Sequence, residues 1–126
     1  MKGVNIFIEI WTAQAFSLRT DVVVKQIMHG LIEEIKLTPV GKPVVMQLEE
    51  PHSATPGGIT FIQPCLESHV AFHSWPEDGY CNITISSCKN VNQITVLRYL
   101  NDTLICRLRL RTTPWTASEK HLTQYR

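Results

Sequence analysis

Residues 67–88 read ESHVAFHSWPEDGYCNITISSC, a run in which two strand-like segments flank a short turn. The turn spans residues 75–79, where Pro76 restricts φ and Gly79 tolerates positive φ. The run also holds four side chains with chemistry of their own: Ser68, His69, His73 and Cys88. Packing of a hydrophobic core does not require these four side chains. The stretch therefore predicts a β-hairpin that carries a functional site.

The N-terminal part of the chain predicts a strand followed by a helix. Val4, Ile6, Ile8 and Ile10 alternate with polar or aromatic residues, which is the period of a strand with one apolar face. Residues 21–36 predict an amphipathic helix that Ser17 or Thr20 can cap. Its apolar positions fall at helical spacing on one stripe: Val24, Ile27, Met28, Leu31 and Ile35.

The remaining segments complete the order β-α-β-β-β-β-α-β. Strands are predicted at residues 42–49, 59–65, 68–75, 80–87 and 103–111, and a second helix at 91–100. Asn90 is the expected cap of that helix, with Ile94, Leu97 and either Tyr99 or Leu100 facing the core. Residues 51–58 read as a loop, interpreted as a mobile lid, and the tail after Pro114 is either disordered or docked.

This order predicts an α+β fold, a two-layer sandwich with two helices on one face of a mainly antiparallel sheet. The other face carries Asn, Thr, Ser, His and Arg side chains and must meet water or another sheet. We expect a single domain spanning residues 1–126. Arg107, Arg109 and Arg111 share one face of the last strand, either as a charged edge or as a site for an acidic partner.

Composition excludes several classes of protein. Twelve basic and eleven acidic side chains give no electrostatic reason to expect a nucleic-acid or membrane-surface partner. The apolar runs are far shorter than the ~20 residues that span a bilayer, and the N-terminus reads as a strand rather than a signal peptide. The four cysteines lack zinc-like spacing, so Cys65, Cys81 and Cys106 are expected to be buried free thiols in a reducing cytoplasm.

Taken residue by residue, the central stretch leaves several interpretations open. A histidine in a strand is more often structural than catalytic. There is no G-x-S-x-G elbow, so a hydrolase triad is not expected. His69 and His73 share a strand face, but no third ligand is evident, so no metal site is predicted.

The motifs themselves resemble those of the short prokaryotic S-adenosylmethionine decarboxylases. That family carries ESH, HTWPE, GY and a Cys at the spacings seen here, in residues 67–69, 73–77, 79–80 and at Cys88. The motifs cover about a fifth of the chain. The predicted order of strands and helices extends the resemblance over most of the rest.

The resemblance implies a pyruvoyl enzyme made by self-cleavage between Glu67 and Ser68, into pieces 1–67 and 68–126. Ser68 Oγ would attack the Glu67 carbonyl, and elimination and hydrolysis would convert Ser68 into the pyruvoyl group. The resemblance assigns His73 as the processing base, which must lie close to Ser68, and Thr60 stands where a family serine assists processing. A histidine suits proton removal at neutral pH.

The same resemblance implies the roles of the substrate site. The pyruvoyl group would hold the substrate amine as a Schiff base and act as the electron sink. Cys88 would donate the proton that replaces CO₂, and Glu77 would bind the ribose. The product would be the aminopropyl donor for spermidine synthesis, and the enzyme would be a homodimer with its sites near the interface.

The chain departs from the family pattern in its substrate pocket. Ser53, Ala54 and Thr55 stand where the family has an aromatic residue that stacks on adenine, so Trp75 or Trp115 is the candidate replacement. Thr84 stands where the family has Asp. Two alternatives follow: a pyruvoyl decarboxylase of arginine or ornithine, or an unprocessed homologue that binds or regulates a partner.

Overall fold

The computed structural model describes residues 2–49 and 56–117. Within them the strands are β1 (Lys2–Thr12), β2 (Val44–Glu49), β3 (Pro56–Cys65), β4 (Ser68–Trp75), β5 (Tyr80–Ser87) and β6 (Cys106–Thr116). The helices are α1 (Ala15–Arg19), α2 (Asp21–Glu34) and α3 (Gln93–Thr103), with a 3-10 turn at Pro76–Asp78. The predicted order is confirmed, with the short helix α1 added to the two that were expected.

The strands form one sheet in the order β2-β3-β4-β5-β1-β6, and all neighbours are antiparallel. The hairpin predicted from residues 67–88 lies at its centre. Trp75 pairs with Tyr80 across the turn, and Gly79 caps the 3-10 turn with φ of 59°. At the other end of β4, Ser68 pairs with Ser87 on β5 and with Cys65 on β3.

The core lies between the sheet and the helices, as the α+β prediction requires. Ile6, Ile8 and Ile10 of β1 have no exposed surface. All five residues of the predicted α2 stripe are buried, and Ile32 joins them. Burial of such side chains contributes about 1.5–3 kcal/mol each, so the apolar stripe determines which face of α2 packs on the sheet.

Helix α3 begins later than the sequence suggested. Asn92, not Asn90, is its cap, and Asn92 Oδ1 accepts hydrogen bonds from the backbone N–H groups of Ile94 and Thr95. Val96 and Leu100 form the inward face, so Leu100 faces the core as predicted, while Leu97 is half-buried and Ile94 is 66% exposed. The prediction that Ile94 faces the core was wrong.

Two segments predicted to be irregular belong to strands. Pro56, Gly57 and Gly58 start β3 rather than a lid, and a Cβ on Gly58 would stand 1.8 Å from the Ser74 carbonyl oxygen. The other residues of the predicted lid lie outside the described residues. Strand β6 starts at Cys106 instead of Thr103 and continues through Trp115, so the tail up to Thr116 is docked.

The second face of the sheet is open to solvent within the described chain. Trp11 and Trp75 on this outer face are 38% and 39% exposed. Ile62 of β3 and Met46 of edge strand β2 add exposed apolar surface. In the part of the chain that is described, no helix combines the length and the apolar character needed to cross a membrane.

Candidate active site

The first cluster of predicted site residues lies at a tight two-residue turn between β3 and β4. The name Glu67 turn is used here for residues 66–68, which are the two turn residues and Ser68, the first residue of β4. Glu67 has φ of 54°, a left-handed conformation that costs a non-glycine residue about 1 kcal/mol. Its carbonyl oxygen accepts a hydrogen bond of 3.2 Å from the backbone N–H of Cys88. Ser68 Oγ donates to the Leu66 carbonyl at 2.9 Å. The turn thus combines backbone strain, an activated carbonyl and a hydroxyl beside it.

Cys88 follows β5 and lies next to this turn. It is half-buried and lines a cavity of about 280 Å³ together with Lys2, Lys89 and Asn90. Trp115 lies over Gly3 near the same end of the sheet, where a Cβ on Gly3 would clash with the indole. The cavity gives the Cys88 region room for a small group beside two positive charges.

The second cluster, here called the His73 cluster (Thr60, His73, Trp75 and Tyr80), lies on the outer face toward the opposite end of the sheet. Thr60 and His73 are cross-strand partners, and Thr60 Oγ1 lies 2.7 Å from His73 Nδ1. The His73 ring stands 4.3 Å from that of Trp75. Burial lowers the pKa of His73 below its usual value, so the imidazole is neutral at pH 7 and able to accept a proton.

The aromatic row on this face was not predicted from the sequence. Trp11 and Tyr80 have ring centroids 5.5 Å apart, and Tyr80 and Trp75 follow at 5.4 Å. The sequence contained only part of the information needed to predict this row. The alternation of β1 placed Trp11 on the outer face, but the pairing of β1 with β5 was needed to bring it to Tyr80.

Glu9 connects this row to the arginines of β6. Its carboxylate accepts hydrogen bonds from Tyr80 Oη at 2.8 Å and from Arg109 Nε at 2.8 Å. The Arg109 guanidinium and then the Tyr80 hydroxyl lower the pKa of Glu9. Arg109 also lies over Trp11, and Arg111 over Phe7. Arg109 and Arg111, two of the three arginines that share one face of β6, therefore pack on aromatic rings of the same face of the sheet.

Glu77 lies on the exposed 3-10 turn that follows Trp75. The neighbouring Asp78 lines an open groove of about 410 Å³ with Trp11 and Arg107. The predicted ribose-binding carboxylate is thus at the same end of the sheet as the aromatic row. This end offers flat rings and carboxylates, whereas the Glu67 turn holds the peptide bond at which self-cleavage is predicted.

Within one chain, the structure does not bring the two clusters together. His73 is five residues along β4 from Ser68, about 16 Å at the usual rise of a strand. The two side chains also point to opposite faces, since Ser68 shares the parity of the buried Val70 and His73 that of the outer face. The expectation that His73 lies close to Ser68 is not met within one protomer, and its role stays a prediction.

Among residues 2–49 and 56–117, no group of three or more His, Cys, Asp or Glu side chains is arranged so that it could hold a metal ion. All four cysteines are free thiols, with Cys65 and Cys81 buried. Burial raises the pKa of Cys81 to about 12. Cys106 is only half-buried, contrary to the expectation of a fully buried thiol.

Comparison with known proteins shows which family the chain belongs to. Residues 4–110 match the model of the family described as S-adenosylmethionine decarboxylase. The chain belongs to the S-adenosylmethionine decarboxylase family. This membership confirms the resemblance and the decarboxylase class predicted from the sequence.

Individual relatives agree with this family. The chain is 30% identical to the S-adenosylmethionine decarboxylase proenzyme of Archaeoglobus fulgidus over 92 residues, covering 73% of this chain and 76% of that protein. It is 26% identical to the proenzyme of Clostridium botulinum, covering 82% and 84%. The crystal structure of the Aquifex aeolicus adenosylmethionine decarboxylase superposes with a TM-score of 0.71 over 93% of both chains, at 17% identity. That last likeness confirms the fold.

Proposed function

We propose that this chain is a self-processing decarboxylase of S-adenosylmethionine whose pyruvoyl group is made from Ser68. The observation that carries the proposal is the Glu67 turn. A strained residue, a carbonyl held by the Cys88 N–H and an adjacent serine hydroxyl occur at the one peptide bond that the family motif marks for cleavage. Strain of this kind is typical of functional sites.

The first chemical step is attack of Ser68 Oγ on the carbonyl carbon of Glu67. Rotation about χ1 takes the hydroxyl from the Leu66 oxygen, 2.9 Å away, to the scissile carbonyl. The C–O bond forms, and negative charge develops on the Glu67 oxygen. The Cys88 N–H already donates to that oxygen and stabilises the charge. The C–N bond then breaks and the nitrogen takes a proton, which leaves an ester.

The second step removes the Cα proton of Ser68 and needs a neutral base. The Cα hydrogen leans away from Cβ and therefore toward the outer face, where the histidine of the His73 cluster lies. The competent tautomer is the one in which Nδ1–H donates to Thr60 Oγ1, which leaves the Nε2 lone pair free. Elimination releases the Glu67 carboxylate, and hydrolysis of the resulting dehydroalanine expels ammonia and leaves the pyruvoyl group.

A second copy of the chain is the simplest source of this base. A two-fold axis between two facing sheets, perpendicular to the strands, reverses the strand direction. It therefore places the Glu67 turn of one protomer over the His73 cluster of its partner. The exposed Trp11, Trp75, Ile62 and Met46 support such a cover for the outer face. We infer a homodimer in which each site draws on both protomers.

Substrate binding is assigned to the outer-face rings. Trp11, Tyr80 and Trp75 offer a row of flat surfaces for an adenine ring and for a sulfonium cation. Trp11 thus supplies the aromatic surface that residues 53–55 lack, and Glu77 is placed to bind ribose hydroxyls. The pyruvoyl group supplies the electron sink for loss of CO₂, and Cys88 donates a proton to the substrate carbon. Because the cysteines are free, the chain suits the cytoplasm.

A substrate panel tests this function. Purified, self-cleaved protein is incubated with carboxyl-labelled S-adenosylmethionine, arginine and ornithine, and released CO₂ is counted. We expect release from S-adenosylmethionine, and a Trp11→Ala variant should raise KM by about tenfold, since loss of ring stacking costs about 1–3 kcal/mol. Release from arginine or ornithine alone would overturn the substrate assignment.

A further inference from the structure

The Glu67 turn is held from the side by a segment that the proposed chemistry does not use. Residues 38–41, here called the strap, run along the end of β3 beyond the last β2 pair. Leu66 N–H donates to the Thr38 carbonyl at 2.9 Å, and Val40 N–H donates to the Pro64 carbonyl at 2.9 Å. Pro39 forms an isolated bridge with Cys65. The strap therefore binds the backbone on the N-terminal side of the scissile peptide.

Gln63 fastens the strap to β3. Its side-chain Nε2 lies 3.3 Å from the Val40 oxygen, 3.2 Å from the Gly41 oxygen and 2.8 Å from the Pro64 oxygen. All three partners are acceptors, so these bonds need a side chain that donates. The amide NH₂ of Gln63 supplies two hydrogens, which the three oxygens share. One side chain thus joins the strap to the strand that leads into the Glu67 turn.

Burial of the polar Gln63 side chain in the core has a cost in folding free energy. Gln63 has no exposed surface and shares the inner face of β3 with Ile59 and Phe61. Its Oε1 is buried, and no hydrogen-bond partner for it is present among the described residues. A buried, unpaired polar atom costs about 1–3 kcal/mol. This cost offsets the gain from the Nε2 bonds, so a leucine would fill the same place at similar stability, and stability of the fold alone does not explain the glutamine.

We propose that Gln63 is a positioning residue for self-cleavage, which clamps the strap so that the Glu67 turn is held in its strained, reactive conformation. This proposal rests on the self-cleavage proposed above. A left-handed residue such as Glu67 persists only where its surroundings fix it. Here three hydrogen bonds do so: the strap holds Leu66, Cys88 holds Glu67 and Leu66 holds Ser68. Without the clamp, the turn can relax and Ser68 Oγ loses its alignment with the Glu67 carbonyl.

The test compares rates of self-cleavage by intact-mass spectrometry of freshly refolded chains. We expect Gln63→Leu to cleave about tenfold or more slowly than the natural sequence, while its melting temperature stays close to the natural value, since loss of the Nε2 bonds is offset by removal of the unpaired Oε1. Gln63→Met, which keeps the length but has no donor, should behave in the same way and serves if the leucine variant does not fold. Tyr99→Phe is the control, because it removes the Tyr99 hydroxyl bond to the Ile27 carbonyl in the distant helix layer. It should lower stability and leave cleavage unchanged.

Hydroxylamine distinguishes positioning of the attack from a later defect. Hydroxylamine cleaves an ester, so it rescues a chain that is blocked after the N→O shift. A Gln63→Leu chain blocked before the shift should gain nothing from it. Cleavage of both Gln63 variants at the natural rate would overturn the proposal, as would full rescue by hydroxylamine. Failure of the natural sequence to cleave at all would instead contradict the proposed function.

Discussion

His73 is the residue whose protonation state the account depends on most. Burial lowers its pKa, so the imidazole remains neutral to a lower pH than a free histidine does. The base is active when deprotonated, and activity is therefore lost as pH falls through the lowered pKa. We expect the rate constant of self-cleavage to be flat above pH ~7 and half-maximal below pH ~6.5.

Single-turnover cleavage at a series of pH values measures this profile. His73→Ala should slow cleavage by about a hundredfold or more, the usual contribution of a general base, and should remove the pH dependence. His29→Gln, which changes an exposed histidine of α2 whose ring lies edge-on to Phe61, is the control and should keep the profile. A midpoint above pH ~6.5 in the natural sequence would contradict the assignment.

The backbone N–H and the thiol of Cys88 have different expected roles, and a substitution of the side chain distinguishes the two roles. Its backbone N–H holds the Glu67 carbonyl, while its thiol is the proposed proton donor in decarboxylation. Cys88→Ala keeps the N–H, so we expect cleavage within about twofold of normal and decarboxylation lowered about a hundredfold or more. Cys106→Ala is the control and should retain both activities. Loss of cleavage in the Cys88 variant would show that the thiol, not the N–H, serves the first step.

At the scale of elements, the sequence predicted what local patterns determine. The β4–β5 hairpin follows from Pro76 and Gly79, and α2 follows from its apolar stripe. Helix α1 was missed because five residues are too few for a periodic signal, and so short a helix depends on tertiary packing. The start of α3 was misplaced by two residues because Asn90 and Asn92 are equally good caps in sequence, and only the fold selects one.

The selected cap gives a direct test at this scale. Asn92 accepts two backbone hydrogen bonds at the start of α3, whereas Asn90 accepts none that defines the helix. We expect Asn92→Ala to lower the free energy of unfolding by about 1 kcal/mol and Asn90→Ala to change it little. Urea unfolding of both variants measures the difference. Equal losses would contradict the assigned start of α3.

At the scale of the whole molecule, the sequence indicated which residues form the site but not how they meet. Thr60, His73 and Trp75 were named, and the structure joins them. His73 was expected to lie close to Ser68 because the resemblance assigns it as the base for the Ser68 Cα proton. A strand separates residues by about 3.3 Å each and alternates their faces, so closeness in sequence becomes distance in space. The aromatic row required the pairing of β1 with β5, which no local pattern encodes.

The proposed sharing of sites between protomers predicts complementation. Ser68→Ala cannot cleave, and His73→Ala lacks the base. In a mixed dimer, Ser68 of the His73→Ala chain faces the intact His73 of its partner. We therefore expect the His73→Ala chain to cleave when the two variants are co-expressed and to remain whole when expressed alone. Each variant carries a different tag, and intact-mass spectrometry shows which of the two chains has been cleaved. Sedimentation should show that the two chains form a dimer. Uncleaved chains in a confirmed mixed dimer would contradict shared sites.

Self-cleavage at Glu67–Ser68 would be visible in the denaturing intact-mass spectrum of the purified protein. We expect two pieces, residues 1–67 and residues 68–126, the second without a free N-terminal amine. A single mass for the full chain after prolonged incubation at neutral pH would contradict the account and favour a binding or regulatory homologue.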